Sequence, residues 1–312
     1  MTPSLLDSYA YMVSRMMPKP AIPEAPEAFS LFGEPLNQQP PRPEVVEKQR
    51  TLYEKALKDW EKNPNDAEAI IWLGRRTAYL GRIREAAAIF SIGIELHPED
   101  PRMYRHRGHR FLSLRLFDQA IDDLEKSAEL IEGKPDEVEP DGIPNERGIP
   151  VSSLQFNIWY HLGLAYYLIG DYESALSCYE DCLKVSEIPD KLVATAHWAY
   201  MTLRLLERKE EAEELINPIT ADMDIIENQH YHKLLLMYKG ETTPDEVMKE
   251  ARNQGPLAVA TVGYGVGNWY LYNEKEEKAV EVYNEILDTR GWSGFGYIAA
   301  EADLKWLSLP KE

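Results

Sequence analysis

The chain has 312 residues, of which 44% are hydrophobic and 28% are charged, and its formal net charge is −19. This composition is typical of a soluble globular protein, and the negative charge argues against nucleic acid or an anionic membrane surface as the main partner. The two cysteines, Cys178 and Cys182, are too few for a disulfide framework, and no apolar run reaches the ~18 residues of a membrane helix. We therefore expect a cytoplasmic protein, or alternatively an exported one whose leader lies outside this sequence.

Residues 1–43 form a proline-rich arm, because nine of the 21 prolines lie there. Apolar residues between Leu5 and Met17 recur at helical spacing and predict a short amphipathic helix. The segment 21–43 should be extended, since each proline lacks an amide donor and restrains the residue before it. Phe29 and Phe32 favour an arrangement in which this segment lies along the rest of the protein.

The remainder of the chain is predicted to consist of helix pairs that repeat every 34 residues. Gly74 and Gly108 are 34 positions apart, and so are Pro64 and Pro98. In each unit the glycine lets two helices cross closely, and the proline stops the second helix. The repeat is interrupted by an insertion, 133–153, which contains four prolines and several acids and should form a loop.

This helix–turn–helix repeat resembles the tetratricopeptide-repeat family. The residues that carry the resemblance in the first unit are Leu73, Gly74, Gly81, Ala86, Phe90 and Pro98. Those in the third unit are Trp159, Leu162, Gly163, Tyr166, Gly170, Asp171, Tyr172, Ala175 and Tyr179. The resemblance implies an all-α fold, namely an α-α superhelix of about six units with a C-terminal capping helix. We place the solenoid at 44–309, with units at about 67–100, 101–134, 156–189, 193–217, 225–254 and 260–290, the insertion at 133–153 and the cap at 297–309.

The resemblance also implies that the first helix of each unit lines a concave groove that binds the ligand. The family's ligand-facing positions fall, in this chain, on residues rich in Arg, His, Tyr and Trp. The predicted ligand-binding residues are Arg75, Arg102, Arg105, His106, His109, Asn157, Tyr160, His161, His197, Trp198, Tyr264 and Asn268. The alternative is that aromatic residues at helical spacing, such as Trp72, Trp198 and Tyr231, belong to the core of the solenoid.

The segment from Arg75 to Arg115 is strongly basic. It contains nine arginines, no lysine and four acids, a net charge of +5 within a chain of −19. A guanidinium group grips a carboxylate or phosphate in two places, so the segment favours an anionic ligand. Arg107 occupies a position that is usually apolar in the family, which indicates a buried ion pair. The arginines expected to pair with acids on neighbouring helices are Arg82, Arg84 and Arg115.

We therefore predict a protein-interaction module, without a cofactor, that binds an acidic peptide or a partner's C-terminus in the groove. The family also contains a carboxylate clamp that captures chaperone C-termini with Lys and Asn side chains. Chaperone binding is not supported, because Ile71, Arg75, His106 and His161 stand where that clamp has Lys, Asn, Asn and Lys or Arg.

Two alternatives remain open. The first is a metal-dependent or small-molecule-binding, enzyme-like pocket built from His106, His109 and His161, since imidazole is a common metal ligand and general base. The sequence contains no HExxH motif, glycine-rich phosphate loop or nucleophile elbow to support it. The second is self-association through apolar residues of the N-terminal arm. These residues are Leu5, Tyr9, Tyr11, Phe29 and Phe32.

Overall fold

The structure of the protein, a computed structural model, describes residues 25–38, 43–289 and 291–309. Within these ranges it has fourteen α-helices and one short antiparallel sheet, and the predicted all-α superhelix is confirmed. The helices are α1 (Pro43–Lys62), α2 (Ala67–Tyr79), α3 (Ile83–Leu96), α4 (Pro101–Ser113), α5 (Phe117–Ile131), α6 (Leu154–Leu168), α7 (Tyr172–Lys184), α8 (Pro189–Leu205), α9 (Lys209–Ile216), α10 (Gln229–Tyr238), α11 (Pro244–Gln254), α12 (Pro256–Tyr272), α13 (Glu276–Leu287) and α14 (Phe295–Leu307). The strands are β1 (Ala28–Phe29) and β2 (Pro35–Leu36).

Each helix packs mainly against its neighbours in sequence, as expected for a solenoid of helix pairs. In addition, helices two positions apart contact each other along one side of the array. These helices are α2, α4, α6, α8, α10 and α12. We call the surface that they form the inner face, and it is the side to which the predicted ligand-binding residues belong.

Local signals in the sequence explain where the helix pairs begin and turn. The carboxylate of Asp66 accepts a hydrogen bond from the amide of Ala69 at 2.9 Å and so caps the start of α2. Asp171 does the same for α7 through the amide of Ser174, at 3.1 Å. Gly81 follows α2 with a φ of 77°, in the left-handed region that glycine adopts most cheaply.

Glycines at the helix crossings determine how closely the two helices of a unit approach each other. In four units a glycine of the first helix lies against a large side chain sixteen residues later, on the second helix. A Cβ atom added at these glycines would lie only 2.4–2.8 Å from the nearest side-chain atom. The four pairs are Gly74 with Phe90, Gly108 with Leu124, Gly163 with Tyr179 and Gly267 with Tyr283. The close crossing inferred from the repeat spacing therefore has a direct steric cause.

The N-terminal arm and the C-terminal helix connect the two ends of the solenoid. Glu301 of α14 accepts hydrogen bonds from Arg115, in the turn after α4, at 2.6 and 3.0 Å. It also accepts one from the amide of Leu31, in the hairpin that β1 and β2 form. On its other side, the hairpin segment binds the start of α3, where Glu27 accepts from the amide of Arg84 at 3.0 Å. Residues 25–38 thus lie along the solenoid, whereas the helix predicted within 5–17 lies outside the described residues.

Two further observations bear on the sequence-based expectations. No helix in the described part of the chain is both long and apolar enough to cross a bilayer. Cys178 and Cys182 are buried on α7, and burial raises the pKa of both thiols to about 12. The Sγ atom of Cys182 contacts the hydroxyl of Thr195 at 3.2 Å. Both cysteines are therefore neutral core residues rather than reactive thiolates.

Candidate binding site on the inner face

The insertion loop (residues 133–153) lies on the inner face against the first two helix pairs. Arg75 donates a hydrogen bond to the carbonyl of Pro140 at 2.8 Å, and Arg76 donates to that of Gly142 at 2.6 Å. The carboxylate of Glu139 is 3.1 Å from Nε of Arg105 and 3.9 Å from Nη2 of Arg75. An extended acidic stretch of the chain's own loop is therefore bound by two of the predicted groove arginines.

The same loop contacts the third helix pair through one of the predicted residues. Asn157 on α6 donates from its side-chain amide to Glu139 at 3.1 Å. Glu139 is thus shared by α2, α4 and α6, and its side chain is only 11% exposed. One hydrogen bond and two nearby guanidinium groups compensate this buried carboxylate, which explains why the loop follows this path.

Beside Glu139 the inner face contains a cavity of about 260 Å³, which we call the arginine cavity. Its charged lining residues are Arg75, Arg105, Arg110, Glu139 and Asp141. Desolvation lowers the pKa of Arg110 to about 10, with the cations Arg105 and Arg75 adding to the shift. Burial likewise raises the pKa of Asp141 above its usual value. The cavity therefore has three guanidinium groups facing two carboxylates, with a net positive charge.

Of the three histidines near the cavity, His106 and His161 are buried and His109 is half-buried, and all three are neutral at pH 7. Burial, followed by the charges of nearby arginines, holds the pKa of His106, His109 and His161 well below its usual value. His106 accepts a hydrogen bond from Arg105 at 2.9 Å, and His161 donates to the carbonyl of Asn157 at 2.5 Å. His109 packs against His161, with ring centroids 4.4 Å apart. No group of three potential metal ligands converges in the described ranges.

Helix α14 covers the inner face beyond the cavity. Its Phe295 ring lies 5.3 Å from His109 and 5.4 Å from His161, measured between centroids. Its Asp303 accepts hydrogen bonds from the hydroxyls of Tyr264 at 3.2 Å and Tyr283 at 2.8 Å. Burial raises the pKa of Asp303 to about 7. The capping helix therefore occupies space that an open groove would leave to a ligand.

The predicted residues of the later units lie in the interior. Trp198, His197 and Tyr264 are each 1% exposed, and Asn268 is fully buried. Tyr264 bonds the hydroxyl of Tyr167 at 2.6 Å, and Asn268 donates to the same hydroxyl at 3.0 Å. The remaining contacts are those of Tyr160 with Tyr231, of His197 with Tyr238 and of Trp198 with Tyr264. These contacts favour the interpretation that the predicted residues of the later units belong to the core of the solenoid.

The other arginines separate into distinct environments. Arg102 bonds Asp100 and Glu68 at the start of α4, and the structure does not bring it into the arginine cavity. Arg107 forms the ion pair suggested by its position, with Asp123 at 2.6 Å. Of the arginines expected to pair with neighbouring helices, Arg82 bonds Glu85 within its own helix pair. Arg115 instead pairs with Glu301, which is 186 residues away in sequence.

Sequence reasoning did not identify two central residues of the site. Arg110 belongs to the basic segment but was given no role, and Glu139 lies in the insertion, whose purpose was left open. A signal was present, because an insertion rich in acids follows a segment of net charge +5. Opposite charges on adjacent stretches of one chain favour their contact.

Two stretches of the chain match a known family of repeats. Residues 73–137 and 156–187 each match a family model described as tetratricopeptide repeat. No curated protein sequence matches the chain. Among solved structures, YrrB, described as a TPR protein with an unusual peptide-binding site, is 17% identical, with 81% of this chain and 99% of that chain covered and a TM-score of 0.43. A tetratricopeptide repeat protein from Parabacteroides merdae is 16% identical, with 83% and 98% covered and a TM-score of 0.47.

Proposed function

This chain is a tetratricopeptide-repeat protein, and from that premise we propose that it binds an acidic, extended peptide of a partner protein on its inner face. Proteins of this family are protein-interaction scaffolds. The partner's segment would bind where the insertion loop lies, with its carboxylate between Arg75 and Arg105. Its backbone carbonyls would accept hydrogen bonds from Arg75 and Arg76.

The observation that supports this proposal is the way in which the insertion loop is held. Its Glu139 carboxylate and its Pro140 and Gly142 carbonyls are bound by arginines of α2 and α4. The contacts are made to an acidic side chain and to the backbone, so any extended segment with an acid at this position would satisfy them. Guanidinium groups are charged donors that can form two parallel hydrogen bonds with one carboxylate, and such bonds are stronger than those between neutral groups.

The loop would then act as a competitor within the same molecule. A tethered segment has an effective concentration of the order of mM, which raises the apparent Kd of a free peptide for the same site. Weakening the loop's own contact should therefore improve binding of a peptide in trans. Weakening the arginine contact should reduce it.

We expect Glu139→Gln to tighten binding of a labelled peptide that copies residues 134–144 by about ten-fold, since the competing carboxylate is removed. Arg75→Gln, added to Glu139→Gln, should reverse this gain, because the donor to the peptide backbone is lost. Fluorescence anisotropy titrations at fixed ionic strength measure both effects.

Matched controls exist for both substitutions. Glu146→Gln makes the same charge change at an exposed position of the same loop. Arg252→Gln removes an exposed arginine that pairs with Glu285, away from the cavity. Both controls should leave the peptide affinity unchanged. The proposal fails if Glu139→Gln and Arg75→Gln behave like these controls.

Self-association through the N-terminal arm is a second proposal, which the exposure of two aromatic residues supports. Phe29 is 51% exposed and Phe32 is 44% exposed, although the hairpin that carries them is fixed to Glu301. Leu5, Tyr9 and Tyr11 lie outside the described residues. We expect Phe29→Ser with Phe32→Ser to convert a dimer into a monomer in light scattering after size exclusion. A wild-type protein that is monomeric at about 0.1 mM, and stays so after 100-fold dilution, would contradict this proposal.

The enzyme-like alternative gains no support from the described residues. The three histidines that would form the pocket bond or stack within the protein, as described above. Of these, His106 and His161 use their Nδ1 atoms for contacts with Arg105 and Asn157. We therefore do not propose a catalytic or metal-dependent role.

A further inference from the structure

Arg110 differs from the other two guanidinium groups of the arginine cavity. Arg75 and Arg105 both approach Glu139, whereas the Arg110 side chain has no ion pair or hydrogen bond within the described ranges. Its Nε atom is buried without a hydrogen-bond partner, as is that of Arg105, but only the latter lies near a carboxylate, 3.1 Å from Glu139. Arg110 is half-buried as a whole, but a buried guanidinium nitrogen without an acceptor carries a desolvation cost, so this donor points to an external partner.

A second unpartnered donor lies next to it in sequence. The Nδ1 atom of His109 is also buried without a hydrogen-bond partner. Since His109 is neutral, one of its ring nitrogens carries a proton and can donate it. Both residues line the arginine cavity from α4. The cavity therefore has one cationic donor, Arg110, and one neutral donor, His109, with buried nitrogen atoms that have no hydrogen-bond acceptor in the described part of the protein.

The size of the cavity limits what could bind there. About 260 Å³ is slightly below the ~300–1,000 Å³ of pockets that enclose drug-sized ligands. It suits a small anion or a single charged group of a larger ligand. A guanidinium and an imidazole can both donate to an oxyanion, and a phosphate-type anion offers more acceptor oxygens than a carboxylate does.

We propose that the arginine cavity binds a phosphate-type oxyanion at Arg110 and His109, either free or carried as a phosphoryl group by a partner's peptide. This inference rests on the proposed function, since it names the chemical group that the same site would select. Asp141 also lines the cavity and would repel a fully ionised oxyanion. Hydrogen phosphate keeps one O–H group, as does a singly ionised phosphomonoester, and this group can donate to the Asp141 carboxylate.

Isothermal titration of the full-length protein with inorganic phosphate, at constant ionic strength set by chloride, tests the proposal. We expect one saturable site, and we expect Arg110→Gln to weaken it at least ten-fold. Arg252→Gln is the matched control and should bind phosphate as the wild type does. A second pair of titrations uses a phosphoserine peptide and its unphosphorylated form. It shows whether the site takes a phosphoryl group carried by a peptide or only free phosphate.

Binding of either probe that depends on Arg110 supports the proposal and identifies the source. Absence of binding of both probes, or binding that Arg110→Gln leaves unchanged, overturns it. If Arg110→Gln does not fold, His109→Phe provides the second variant, because it removes the neutral donor and keeps an aromatic ring beside Phe295. An acidic, unphosphorylated peptide that still binds through Arg75 would preserve the proposed function even where this inference fails.

Discussion

Replacing Glu301 with Ala is expected to lower the free energy of unfolding by about 3–5 kcal/mol, the cost of removing one partner of a buried ion pair. The side chains of Glu301 and Arg115 are 1% and 3% exposed, and the pair is closed by hydrogen bonds of 2.6 and 3.0 Å. The substitution leaves the Arg115 guanidinium buried without its anion. It also removes the acceptor of the Leu31 amide, so the hairpin loses a contact with α14.

Urea unfolding followed by circular dichroism measures this cost. Glu281→Ala is the matched control, because it removes a carboxylate at an exposed position and should change stability by no more than about 0.5 kcal/mol. Arg115→Met with Glu301→Leu should be less destabilising than the sum of the two single changes, since no charge then remains unpaired. A Glu301→Ala cost equal to that of the control would show that the pair does not hold the two ends together.

The helix pairs were predictable because their signals are local. Gly81 and Pro98 act on the backbone at their own positions, and the glycine at a crossing faces a residue only sixteen positions later. A window of one repeat therefore contains all the information that a unit needs. The ion pair of Arg107 with Asp123 has the same spacing, which is why its position alone suggested a buried partner.

The site was less predictable because its partners are distant in sequence. Arg115 was assigned to neighbouring helices, yet its acid lies on α14. Trp198 and Tyr264 lie on the first helices of their units, at positions that face the ligand in the family. Whether such a position faces solvent depends on what covers it. Here Asp303 of α14 covers Tyr264, and the Tyr264 ring in turn packs on Trp198. No periodicity in the sequence indicates where a capping helix will lie.

The insertion loop shows the same limit in its charge pattern. Its acids and the basic segment before it were both visible in the sequence, but the register between them was not. Only the fold places Glu139, rather than Glu137 or Asp141, between Arg75 and Arg105. The chemistry of the site was thus predictable from composition, and its geometry required the tertiary structure.

Replacing Gly74 with Leu is expected to destabilise the first helix pair by about 1–3 kcal/mol or more, through overpacking of a close crossing. A Cβ atom at this position would already lie 2.5–3.0 Å from three atoms of the Phe90 ring, and Leu adds three further carbons. Phe90 is 1% exposed, and its ring stacks on His106 with the two ring centroids 5.2 Å apart. The helices must therefore separate or the ring must leave its rotamer.

Urea unfolding measures the loss, and Gly291→Leu is the control, because a Cβ atom there meets nothing closer than 3.8 Å. Phe90→Leu should partly rescue Gly74→Ala, so that the double variant costs less than the sum of the single ones. Hydrogen exchange should accelerate most in α2 and α3, since stability in a solenoid is a sum of unit and interface terms. Equal acceleration in α12 and α13 would contradict this, because it would mean that the contact between hairpin and capping helix makes the whole array unfold as one unit.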